Sequence, residues 1–143
     1  MFKDCYINLE KITDNLQSTG LFFARLVIAY GFYEPAINKW NGIENVAAWF
    51  GSMGIPFPLL NAYATATIEM LGVVLLTLGL FTRLISIPLI VIMIVAIVSV
   101  HLPHGFSAGE NGFEIPLYYM LFLIIFTSFG AGKISIDNFL FKR

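Results

Sequence analysis

The sequence predicts an all-α integral membrane protein, a four-helix bundle with a short interfacial amphipathic helix in its first outer loop. Three observations carry this. Of 143 residues, 58% are hydrophobic and only 12% charged, with a mean hydropathy of +0.82; soluble domains run ~45–50% apolar and ~25% charged. A chain this short has too large a surface-to-volume ratio to hide so much apolar surface from water. The charges cluster between long apolar runs, and a spanning helix needs ~20 residues, so four fit and leave roughly 60 for loops and ends. No internal repeat or low-complexity stretch stands out, and residues 1–143 read as one membrane domain.

The opening residues mix Lys3, Asp4, Glu10, Lys11 and Asp14 with Ile7, Leu9 and Ile12. A secretory signal starts basic and ends at small residues. The mixed charge reads instead as a retained cytoplasmic lead-in, a short helix lying against the bilayer. The first span is set at 19–38, interrupted by Arg25 and Glu34, and the second at 59–80, with Glu69 close to its middle. Between Leu84 and Gly109 there is no Asp, Glu, Lys or Arg, and the third span is set at 84–101, ahead of Pro103. The fourth runs from about 115 to 131, between Glu114 and Gly130-Ala131-Gly132-Lys133.

Basic residues set the expected orientation. With the N-terminus cytoplasmic, the inner side holds Lys3, Lys11, Arg83, Lys133, Lys142 and Arg143, and the outer side only Lys39. Both termini are therefore expected in the cytoplasm of a bacterium, with the chain multi-pass in its inner membrane. Trp40 and Trp49 agree, since both fall in the first outer loop, where indoles favour the headgroup level. In that loop, 39–58, Ile43, Val46, Ala47, Phe50 and Met53 follow helical spacing, and Gly54-Ile55-Pro56-Phe57-Pro58 stops the helix. An amphipathic helix in the outer interface fits this pattern. An ordered loop covering the bundle is the plainer alternative.

Charges are costly inside lipid, at ~2.5–3.5 kcal/mol for a central carboxylate on insertion scales. Glu69 must therefore face the bundle, and Ala62, Thr65, Ala66, Gly72 and Val73 share its stripe, small residues that let helices approach. Arg25 is the expected partner, about 7 Å away in depth at 1.5 Å per residue. The pair either holds two helices in register or anchors a polar ligand such as a quinone headgroup or relays a proton; Tyr30, Tyr33 and Tyr63 would add hydrogen bonds to either arrangement. A second cluster is expected at the outer face from His101, His104, Glu110 and Glu114, joined by Glu34 from the first span. His-x-x-His beside carboxylates suits copper or zinc. Pro103 breaks the helix between the two histidines, and helix capping or proton exchange competes with metal binding at His101 and His104.

Other chemistries lack their residues. Cys5 is the one cysteine, which excludes a disulfide scaffold, an iron–sulfur cluster and c-type haem attachment. The net charge of −1 argues against nucleic-acid partners. Gly130-Ala131-Gly132-Lys133 with Ser135 follows a span rather than a strand and is a turn, not a phosphate loop.

Several segments in order carry a family resemblance. They are Arg25-Leu26-Val27 leading to Gly31-Phe32-Tyr33-Glu34-Pro35 and Lys39-Trp40; Ala48-Trp49-Phe50 with Gly54-Ile55-Pro56-Phe57-Pro58; and Glu69-Met70-Leu71-Gly72. Gly79-Leu80-Phe81-Thr82-Arg83, Val100-His101-Leu102-Pro103-His104-Gly105-Phe106 and Gly132-Lys133-Ile134-Ser135-Ile136-Asp137 complete the set. Together they resemble DoxX-type membrane proteins over roughly residues 20–140, and Tyr33-Glu34-Pro35-Ala36 with Lys39-Trp40 resembles an HvfX-like subgroup associated with copper-binding modified peptides. Many members have histidine where Tyr33-Glu34 stand here. The resemblance implies a small inner-membrane subunit of a redox or stress-protection system, quinone-linked, with soluble or membrane redox proteins as partners; the related DoxD family supplies a membrane subunit of a thiosulfate:quinone oxidoreductase. The alternatives are a non-catalytic partner in copper handling and an oligomeric small-molecule transporter, which four helices without an inverted repeat build only as a homo-oligomer.

Overall fold

The computed structural model describes the backbone of residues 2–141 and the side chains of residue 13 and residues 16–141. Helix α1 runs unbroken from Phe2 to Asn41, about 60 Å at 1.5 Å per residue and twice the ~30 Å of a hydrocarbon core. The expected lead-in is thus not a separate helix on the membrane surface: its backbone continues directly into the first span. The side chains of Lys3, Cys5 and Lys11, and Lys142 and Arg143 at the other end, lie outside the described residues. The stretch long and apolar enough to cross a membrane is Leu16–Asn41. Leu21, Arg25, Ile28, Ala29, Phe32 and Ala36 recur at three- and four-residue spacing and are buried, whereas Phe23, Val27 and Tyr30 on the opposite face are exposed. Both faces are apolar because one meets protein and the other lipid, so hydropathy alone separates them poorly.

After α1, a short helix α2 covers Ile43–Ser52, then α3 spans Pro58–Leu78. Proline at the first position suits α3, since its missing N–H is one that a helix start leaves free anyway. At the other end Gly79 adopts φ +65, its N–H bonds to Leu76 O, and Leu80 N–H bonds to Leu75 O; this paired closure satisfies carbonyls the helix leaves open. Helix α4 starts at Thr82 and ends at Ala96, and the chain then widens into one π-helical turn, Ile97–His101, and a 3-10 turn, Leu102–His104. Thr82–His104 together is long and apolar enough to cross, as is Pro58–Leu78. Helix α5, Glu114–Phe129, is a shorter apolar helix of 16 residues, about 24 Å long. A final helix, α6, takes up Ile136–Phe141.

Helix α1 packs on α3, α3 on α4, α4 on α5, and α5 returns to touch α1 lightly. This ring closes around a core of Ile28, Phe32, Leu76, Leu89, Leu123 and Phe126. Among the described residues there is no strand, and the all-α bundle stands. Of the small-residue stripe on α3, Ala62, Ala66 and Gly72 are buried with Glu69, while Thr65 and Val73 are half-buried. The loop helix α2 forms, but its apolar side does not face lipid. Ala47 and Phe50 pack against Ala62 of α3, with Ile43, Val46 and Met53 around them, so α2 caps the end of the bundle while Trp49 stays exposed.

Candidate functional site

A cavity of about 850 Å³ lies beneath α2, walled by α1, α3, α4, its π turn and the start of α5. Two prolines of the helix interiors, Pro35 and Pro88, are in its wall; neither has an N–H to give back along its helix, so the carbonyls of Gly31 and Leu84 lose their usual donors. Most of the lining is apolar, including Phe32, Ile92 and Met93. Glu34 and Val91 also line it and are exposed, so the cavity opens to the outside.

The polar centre of this cavity is an ion pair that the sequence reading did not anticipate. Lys39 Nζ lies 2.8 Å from Glu69 Oε2 and 3.1 Å from Oε1. Glu69 is 2% exposed, and the lysine side chain keeps 20% of its surface open. An ammonium carries three donors. Two are spent on the carboxylate, and the third has no protein acceptor among the described residues. The expected Arg25–Glu69 pair does not form: Arg25 sits level with Leu76, seven residues or about 10 Å further along α3 than Glu69. Lys39, in the last turn of α1, instead reaches back down its own helix to the carboxylate. Tyr119 is the other residue missed. Its ring meets Phe32 edge-on at 5.4 Å, and its hydroxyl packs on Gly31, where a Cβ would collide with it. A signal for Lys39 was present, as a lone cation one residue beyond a span that faces a buried carboxylate; for Tyr119 there was none.

The outer cluster is only partly assembled. His101 and Glu34 line the same cavity as Lys39 and Glu69, whereas His104, Glu110 and Glu114 do not. The π turn explains His101. In α register the stripe Ile92–Ala96 continues to Val100, and the extra residue of an i→i+5 turn brings position 101 onto it as well. Nδ1 of His101 lies 2.8 Å from Asn111 O; a carbonyl only accepts, so Nδ1 donates and Nε2 is the free nitrogen in the neutral ring. Glu114 braces the loop between α4 and α5, with Oε2 accepting from Ala108 N and Oε1 from the Tyr118 hydroxyl. Among the described residues no three His, Cys, Asp or Glu side chains gather where a metal ion would sit. Tyr30 and Tyr33 are exposed and add nothing to the pair, and Tyr63 packs edge-on against Trp40 at 5.9 Å.

Arg25 works at the opposite end. Its Nη1 donates to Leu76 O at 2.9 Å, its Nη2 to Ile134 O, and its guanidinium stands over the Phe22 ring. A cation at the last carbonyls of α3 is favoured by the helix dipole. The same end is tied by Asp137, whose two oxygens accept from Phe81 N at 2.8 Å and Thr82 N at 3.0 Å. Arg25 and Asp137 thus pin the segment after α5 across the α3–α4 turn. Gly79 is obligatory there, because a Cβ at φ +65 would strike the Arg25 guanidinium and Ser135.

Comparison with known proteins places this architecture. The DoxX family model matches residues 20–102. The chain is 31% identical to an "Uncharacterized protein" of Haemophilus influenzae, over 98% of this chain and 92% of that one. It is 34% identical to a second protein so named from the same organism, over 95% and 98%. It is 30% identical to "Putative oxidoreductase CatD" of Bacillus subtilis, over 86% and 88%. No solved structure matches the chain. With the family model covering more than half of its length, and relatives aligned nearly end to end, the chain belongs to the DoxX family of membrane proteins.

Proposed function

We propose that this protein is a small inner-membrane subunit of a redox or stress-protection system, and that its cavity receives a quinone headgroup. The observation that carries the reading is the Lys39–Glu69 pair on the wall of an apolar cavity of about 850 Å³. Cavities of ~300–1,000 Å³ with apolar walls and a few placed polar groups are those that bind small organic ligands. A quinone presents two carbonyl oxygens on an apolar ring, so it needs hydrogen-bond donors at one end and hydrophobic walls elsewhere. The third N–H of Lys39 is such a donor. Nε2 of His101, a proton acceptor on the same cavity, would relay to the headgroup a proton that it takes up on reduction. Electrons would come from a partner redox protein, in keeping with the name of the Bacillus subtilis relative. Both termini are placed in the cytoplasm: Arg83 and Lys133 then lie inside, and Lys39, the cation counted against this orientation, is neutralised by Glu69.

Trp49 lines the cavity and supplies a direct readout. Titrating the detergent-purified protein with a short-chain quinone should quench its emission saturably. Glu69→Gln and Lys39→Gln should each weaken binding by about 10- to 100-fold, the equivalent of one hydrogen bond to a charged group, ~1.5–3 kcal/mol. Absence of saturable quenching, or equal affinity in both variants, would refute the reading.

A further inference from the structure

We propose a second ligand site, for one anionic phospholipid, at the end of the bundle away from the quinone cavity. A cavity of about 690 Å³ lies between the α3–α4 turn, the start of α1's apolar stretch and the segment that follows α5. Two cations line it, Arg83 at the start of α4 and Lys133 in the turn after α5. Neither forms an ion pair or a side-chain hydrogen bond among the described residues. One carboxylate belongs to the lining, that of Asp137, and both its oxygens are occupied by the amides of Phe81 and Thr82. Among the described residues the site therefore offers two cations without a partner, against one carboxylate already bound to backbone amides.

Its remaining walls fit a lipid rather than a free anion. Leu84 and Phe129 line the same cavity and are 68% and 61% exposed, next to Arg83 in sequence and at the last residue of α5 respectively. Both helices enter the apolar layer from here, so a phosphate held between Arg83 and Lys133 places an acyl chain along Leu84 and Phe129. Ser18, Ser135 and Asn138 also line the cavity and add polar groups for a glycerol backbone. Basic pockets between helix ends at the cytoplasmic face recruit anionic headgroups by this combination of charge and depth.

The test uses the full-length protein, delipidated in mild detergent, with native mass spectrometry to count retained lipids. Phosphatidylglycerol should be retained over phosphatidylcholine of the same chains, and the Arg83→Gln/Lys133→Gln double variant should lose that preference. A ~1 kcal/mol attraction per basic residue corresponds to about a 30-fold loss for the two. The charge-preserving Arg83→Lys/Lys133→Arg variant should keep the preference. Three results would overturn the proposal: equal retention of the two lipids by wild type, an undiminished preference in the double Gln variant, or displacement of phosphatidylglycerol by millimolar inorganic phosphate, which would mark a free-anion site. Both Gln substitutions fall on exposed side chains that have no ion-pair or hydrogen-bond partner among the described residues, and an unchanged circular dichroism melt verifies that the variant is folded.

Discussion

Lys39 and Glu69 are coupled in stability as well as in any ligand chemistry. A buried carboxylate paired with an ammonium is near break-even against apolar residues of the same shape, but removing one partner leaves a charge without compensation. Lys39→Met should therefore destabilise the protein by about 3–5 kcal/mol, and the Lys39→Met/Glu69→Leu double variant should recover most of that loss. Thermal unfolding in detergent with all three proteins checks it; additive losses in the double variant would mean that the two side chains do not act as a pair. Gly31 yields a second residue-scale prediction. A methyl there collides with the Tyr119 hydroxyl, so Gly31→Ala should cost about 1–3 kcal/mol, the range for overpacking. Tyr119→Phe in the same chain, which removes the clashing oxygen, should relieve part of it.

Helix α4 begins where a side chain from far along the chain satisfies it. The first turn of α4 has no cap from its own neighbours; its amides are taken by Asp137, 55 residues further along the chain. Asp137→Ala should lower stability by about 1–2 kcal/mol, the range for losing an N-cap, and should raise hydrogen exchange at Phe81 and Thr82 before it does so at Leu89. Uniform exchange along α4 would contradict that. The π turn at Ile97–His101 is the other element-scale device. It adds one residue to the turn without breaking the helix, and so carries a histidine onto the cavity face. Such widened turns recur at functional sites. Hydropathy has no feature for it, because Ile97, Val98 and Val100 suit an α-helix equally well.

At the scale of the whole molecule the testable quantity is orientation. With both ends in the cytoplasm, a cysteine at Asn111, in the exposed outer loop, should react with a membrane-impermeant maleimide in intact cells. One at Lys133 should react only after the membrane is opened. Native Cys5 is replaced by serine in both variants. Labelling in the reverse order would invert the topology and place the proposed phospholipid site at the outer face. The closed ring of helices also explains why two polar groups in neighbouring spans serve opposite ends. Arg25 is absorbed by backbone carbonyls of α3 and the segment after α5, leaving Glu69 to Lys39.

The sequence by itself determined the solvent, the helices and their inner faces. An apolar excess of this size needs lipid, spans are bounded by charge and by Gly or Pro, and a carboxylate in lipid must turn inward; each follows from local chemistry that tertiary packing does not override. The small-residue stripe Ala62–Ala66–Glu69–Gly72 was legible for that reason. Partner choice was not. Which cation meets Glu69 depends on the relative height of two helices, and a shift of two turns exchanges Arg25 for Lys39 at a cost invisible in either helix alone. The union of Glu69 with Glu34 and His101 in one cavity, and the loss of His104 from it, depend on a one-residue widening in α4 and on how lightly α5 rests against α1. Those are properties of the packed bundle, decided by side-chain volumes summed over several helices rather than by any segment of the chain.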